Sequence, residues 1–259
     1  MSQKPFTALA LFACVMMAAQ ANDECPIVET VSNFDIDQYA SAPWYSHQQA
    51  ENSYSPQDQN FCVRAQYTVR EESTFWGYTV DVANQDQNEL GAGRDGNLCA
   101  YQTDDAKSKL AVAPCFLPKL FAGPYWIVAY DEAEGYALIS GGQPNIPAYD
   151  GDNNFVGCKS GTGINNSGLW IFSRSQTRNE TLISVVRDIA SEKGFDLSVL
   201  NDVDHSNCDP DACTDSEETF KVWWGAEKDC DWIEGGGFFN WKCSLYGSNC
   251  PATCDQCDE

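Results

Sequence analysis

Few residues of this chain have the type and spacing that catalysis or metal binding demands. Only two histidines are present, His47 and His205. That leaves little material for a histidine general base or a histidine-rich metal site. Asp150-Gly151-Asp152-Asn153-Asn154 begins like a calcium loop. Position six is Phe155 where the loop needs Gly, and position twelve is Gly161 where it needs a bidentate Glu, so a calcium hand is refused. Cys254-x-x-Cys257 has redox spacing, but within the run Cys250-x3-Cys254-x2-Cys257 that spacing reads as structural. Asn165-Asn166-Ser167 and Asn179-Glu180-Thr181 are N-glycosylation acceptors at Asn165 and Asn179. These readings give no catalytic residue, no metal and no cofactor. What remains is an aromatic-rich composition with 13 Phe, 11 Tyr and 8 Trp.

The cysteines set the compartment. Residues 1–21 read as a secretory signal peptide: Lys4, an apolar run from Thr7 to Ala19, and Ala19-Gln20-Ala21 at the cleavage point. The run is too short for a bilayer span of about 20 residues. Cleavage removes Cys14 from the 13 cysteines, and the even remainder in an exported chain reads as a disulfide framework. Spacing alone does not give its connectivity. The expected location is extracellular or the endomembrane lumen. The net charge of −23, from 38 acids and 15 bases, repels phosphate backbones and excludes nucleic acid as a partner.

Cysteines also divide the chain. Six lie within residues 22–208 and six within residues 209–259, which predicts two separately cross-linked modules. The first is strand-rich. Val63, Ala65, Tyr67 and Val69 alternate with Arg64, Gln66, Thr68 and Arg70, so one face is buried and one wet. Tyr125 to Tyr130 and Tyr136 to Ile139 are apolar runs joined by a short acidic turn, a hairpin signal. Leu169 to Phe172 is a further strand. Many short strands predict a barrel or sandwich. One helix follows: Thr177 and Glu180 form a capping box and Gly194 a stop. Leu182, Ile183, Val185, Val186, Ile189 and Ala190 make its apolar stripe, so it should pack outside the β structure.

Three strings carry a family resemblance. Asn33-Phe34-Asp35-Ile36-Asp37-Gln38-Tyr39 with Pro43-Trp44-Tyr45, then Tyr125-Trp126-Ile127-Val128-Ala129-Tyr130-Asp131, then Leu169-Trp170-Ile171-Phe172-Ser173-Arg174, resemble the three lipocalin signatures in order. The branch they resemble is apolipoprotein D with its bacterial and plant relatives. Ala42 stands where the family usually has glycine. The resemblance implies a mainly β fold: an eight-stranded antiparallel up-and-down barrel with one packing helix, over residues 22–208. It also implies a barrel-closing pair, Trp44 under the guanidinium of Arg174. Disulfides Cys25–Cys158 and Cys62–Cys208 are implied by the apolipoprotein D pattern, and Cys99 and Cys115 remain to close a local loop. Cys250-Pro251-Ala252-Thr253-Cys254-Asp255-Gln256-Cys257 resembles the end of an ShK toxin-like domain. That resemblance implies Cys213–Cys257, Cys230–Cys250 and Cys243–Cys254 in a small disulfide-rich module.

A barrel of eight strands has room for one small ligand. By strand parity with Arg174, Trp170 and Phe172 face inward, and Tyr67 lies on the apolar face of its strand. Tyr67, Trp126, Tyr136, Trp170 and Phe172 are the ligand-binding candidates. The function expected is a secreted binding and transport protein, not an enzyme, for a small hydrophobic ligand: lipid, sterol, retinoid, carotenoid or bilin. The alternatives are an isomerase or de-epoxidase on the same fold, or an interaction protein. The partner class open to residues 209–259 is a membrane or cell-surface protein.

Overall fold

A computed structural model describes residues 25–88, 91, 93–103, 106–206, 208, 220–221 and 226–228. The expected signal peptide and the ShK-like cysteines Cys213, Cys230, Cys243, Cys250, Cys254 and Cys257 lie outside the described residues.

The chain opens with a one-turn helix, α1 (Ile36–Tyr39), capped by the Asp35 carboxylate on the amides of Asp37 and Gln38. Eight barrel strands follow: β1 (Trp44–Ala50), β2 (Phe61–Val69), β3 (Val80–Gln87), β4 (Gly93–Gln102), β5 (Lys109–Pro114), β6 (Gly123–Asp131), β7 (Tyr136–Ser140) and, after an interposed hairpin, β10 (Leu169–Ser173). That hairpin is β8 (Ile146–Tyr149) with β9 (Phe155–Lys159). Each barrel strand pairs antiparallel with the next, and β10 returns to β1 through Tyr45↔Ser173 and Gln49↔Trp170, closing the cylinder. This is the predicted eight-stranded up-and-down barrel, and closure leaves it no free edge.

The apolar runs have a structural cause. On β6 and β7, Ile127, Ala137 and Ile139 face the interior, while Val128 and Leu138 face outward. Helix α2 (Glu180–Glu192) covers that outer face with Ile183, Val186 and Ala190. Both faces of these strands are therefore buried, and strict alternation disappears. The helix lies outside, as its stripe predicts. Its cap differs from expectation: Asn179, not Thr177, accepts the amides of Thr181 and Leu182 through its side chain. The helix begins at Glu180, so Thr177 lies too far upstream to reach the first turn.

A further strand, β11 (Leu200–Asp202), pairs with β1 beyond the point where β2 splays away. Among the described residues three disulfides fasten the framework: Cys25–Cys158, Cys62–Cys208 and Cys99–Cys115. Cys62–Cys208 pins the segment after β11 to the start of β2.

Candidate functional site

The floor of the barrel is built first by Trp44, which is fully buried. The guanidinium carbon of Arg174 lies 3.7 Å from its ring centroid. Arg174 also donates to the carbonyls of Gln38, Tyr39, Ala42 and Pro43 and pairs with Glu132 at 2.8 Å. The carbonyl of Ala42, the residue that replaces the family glycine, is thus one of its acceptors. Tyr39 stacks on Trp44 at 5.1 Å and 29°, and its carbonyl accepts the Trp44 indole N–H at 2.9 Å. One arginine therefore joins α1, the start of β1, the β6–β7 turn and the end of β10. Trp44 and Arg174 stand together as the sequence implies.

Above this floor the interior changes character. Phe34, Tyr39, Tyr67, Val80, Leu110 and Phe172 are buried. Higher up, Leu98, Val112, Tyr125 and Trp170 belong to the same inward-facing cluster but are only partly buried. These four lie toward the barrel end opposite Trp44, where the interior is less fully covered. Its walls are apolar and aromatic, the kind of surface that holds small hydrophobic molecules.

Three hydroxyls meet at the base of this lumen. The Tyr125 hydroxyl lies 2.8 Å from that of Tyr39 and 2.6 Å from that of Tyr67. Burial, first among the causes, pushes Tyr39 and Tyr125 well above the ordinary phenol range and Tyr67 up to about 12. All three are neutral hydroxyls at physiological pH, able to donate.

Of the candidate residues, Tyr67, Trp170 and Phe172 face the interior. Trp126 and Tyr136 do not. Both lie in the outer cluster beneath α2, and the Lys109 ammonium sits 4.3 Å over the Trp126 ring. Their strands are apolar on both faces, so composition does not say which face is inner. A bulge between Ile127 and Ala129 shifts the parity again. The inward neighbour is Tyr125, whose sequence signal was only its place one step from Trp126.

Other groups lie elsewhere. His47 is buried, with Nε2 2.9 Å from both the Ser173 hydroxyl and the Ser175 carbonyl, and its ring 5.1 Å from that of His205. Burial lowers His47 to about 4 and also lowers His205. The Asp150 carboxylate accepts the amides of Asp152 and Asn154, holding a turn. Asn165 and Asn179 are exposed. A groove of about 270 Å³ lies outside the barrel, bounded by Ala50, Ile146, Lys159, Leu169, Phe195 and Val199. It gathers none of the inward aromatics, so the lumen is the better site. Among the described residues no helix is long and apolar enough to cross a membrane.

No family model matches the chain. It is 27% identical over 205 residues to temperature-induced lipocalin-1 of Arabidopsis thaliana, covering 76% of this chain and 93% of that protein. It is 26% identical over 186 residues to apolipoprotein D of Mus musculus, covering 71% and 84%. Among solved structures, insecticyanin from the tobacco hornworm Manduca sexta aligns at 18% identity and a TM-score of 0.48, over 71% of this chain and 87% of that one. By sequence the chain is thus similar, over most of their length, to a lipocalin and to an apolipoprotein.

Proposed function

We propose that this protein is a secreted carrier, of the apolipoprotein D-like kind, that holds one small hydrophobic ligand in its barrel lumen. The observation that carries the reading is the set of inward yet partly accessible side chains, Leu98, Val112, Tyr125 and Trp170, above a sealed floor. Removing apolar ligand and wall surface from water supplies affinity at about 25 cal/mol per Å². Tyr67, Trp170 and Phe172 serve as wall, and Tyr125 replaces Trp126 and Tyr136 in that set. The relatives' names, a lipocalin and an apolipoprotein, agree with carriage of such a ligand.

Enzymatic chemistry on a bound lipid is the weaker reading. Every described cysteine is in a disulfide, so none offers a free thiol to that chemistry. We propose further that residues 209–259 make a separate ShK-like module for a membrane or cell-surface partner, and that Asn165 and Asn179 carry glycans. The test is native mass spectrometry of protein purified from its own source, with saturable quenching of tryptophan fluorescence by the extracted ligand. Absence of both a bound apolar molecule and any saturable quenching would sink the carrier.

A further inference from the structure

The tyrosine trio says which ligands the lumen accepts. Three hydroxyls have three hydrogens, and the two contacts through Tyr125 consume two. One is left over. Tyr39 is fully buried and Tyr67 is 2% exposed. Outside the trio neither hydroxyl has an acceptor among the described residues, and their contact with each other is weaker than the bond each makes to Tyr125, so a hydrogen left on either would be a poorly satisfied buried donor, which folded proteins avoid. The satisfied arrangement has Tyr39 and Tyr67 both donating into the Tyr125 oxygen. The spare hydrogen then sits on Tyr125, the one member that is only partly buried, whose ring is 6.4 Å from that of Trp170. Accepting two hydrogen bonds polarises Tyr125 into a stronger donor.

We propose that the Tyr125 hydroxyl is the polar anchor of the lumen, and that the ligand is an apolar molecule carrying a neutral carbonyl or other acceptor oxygen, seated oxygen-first on the trio. This rests on the carrier reading. A carboxylate fits less well. The trio belongs to one apolar cluster with Val80, Val82, Leu110 and Ile127, side chains that offer an anion no partner. The guanidinium of Arg174 below is committed to Glu132 and to backbone carbonyls. A chain of net charge −23 also repels an approaching anion.

The experiment uses the full disulfide-bonded chain and three probes: hexanophenone, hexylbenzene with the same skeleton but no oxygen, and 6-phenylhexanoate. Each competes with the fluorescent neutral amine N-phenyl-1-naphthylamine. Tyr125→Phe should weaken hexanophenone by about 3–10-fold and hexylbenzene by less than about 2-fold, with the carboxylate the weakest of the three in wild type. Should Tyr125→Phe fold poorly, the carbonyl stretch of hexanophenone bound to wild type decides: it should lie at lower frequency than in hexane. Equal losses for ketone and hydrocarbon, an unshifted stretch, or a carboxylate that binds tightest would overturn the proposal and leave the carrier standing. Failure of the fluorescent amine and of all three probes to bind would instead remove the carrier reading itself.

Discussion

Replacing Arg174 with alanine tests the closed end. Three contributions are lost together. Its stacking on the Trp44 indole at 3.7 Å contributes about 0.5–2 kcal/mol. Its ion pair with Glu132 is only partly shielded, with 15% and 28% of the two side chains exposed, so after solvent screening we assign it about 1 kcal/mol or less. The carbonyls of Gln38, Ala42 and Pro43 lose their charged donor, whereas that of Tyr39 keeps the Trp44 indole N–H. Charge-assisted bonds of this kind contribute about 1.5–3 kcal/mol each when fully shielded, and these are not. Because the contributions overlap, the expected loss is about 2–4 kcal/mol, more than stacking alone supplies. Arg174→Lys keeps the charge but not the planar fork, and should recover less than half. Urea denaturation followed by near-ultraviolet circular dichroism reads both stability and the Trp44 environment. Affinity for hexanophenone should change little, because the less covered end of the interior is the other one. A stability within about 0.5 kcal/mol of wild type, with an unchanged aromatic spectrum, would refute the reasoning.

Trp170→Ala should weaken ligand binding by about 1–3 kcal/mol, while Trp126→Ala, on the outer face, and Trp224→Ala, within residues 209–259, should leave it unchanged in the same displacement assay. His47 binds its proton less readily folded than unfolded, so stability is complete above about pH 6.5, falls as pH drops, and levels off below about 4. At about 1.4 kcal/mol per tenfold change in proton affinity, the full loss is of order 3 kcal/mol; a flat urea midpoint between pH 7 and 4.5 would contradict the buried neutral imidazole. Asn179→Ala should cost about 1 kcal/mol through the lost helix cap, and Thr177→Ala nearly nothing, both measured by thermal unfolding. Non-reducing peptide mapping should find no disulfide linking residues 22–208 to 213–257, and a single such link would end the two-module proposal.

Much of the molecule was legible in its residues. The spacing of Trp44, the Tyr125–Asp131 run and Arg174 pointed to one known barrel, and the pairings Cys25–Cys158, Cys62–Cys208 and Cys99–Cys115 that the resemblance implied, or left over, stand in the structure. Tyr67, Trp170 and Phe172 could be oriented because each has a clear reference: alternating polar neighbours for Tyr67, and the base arginine two and four residues on for the other two. Where both faces of a strand are buried that reference vanishes. Only the packing of α2 against Val128 and Leu138 decides that Trp126 and Tyr136 are outside and Tyr125 inside. The bulge after Ile127 is a backbone event that leaves no mark in side-chain pattern. The same holds for the hydroxyl trio and for His47 beside His205. Tyr39, Tyr67 and Tyr125 come from α1, β2 and β6, and the two histidines from β1 and the segment after β11. Groups so far apart along the chain meet only through barrel closure, and hydrogen bonds between them follow from distance in space, which local propensity does not encode.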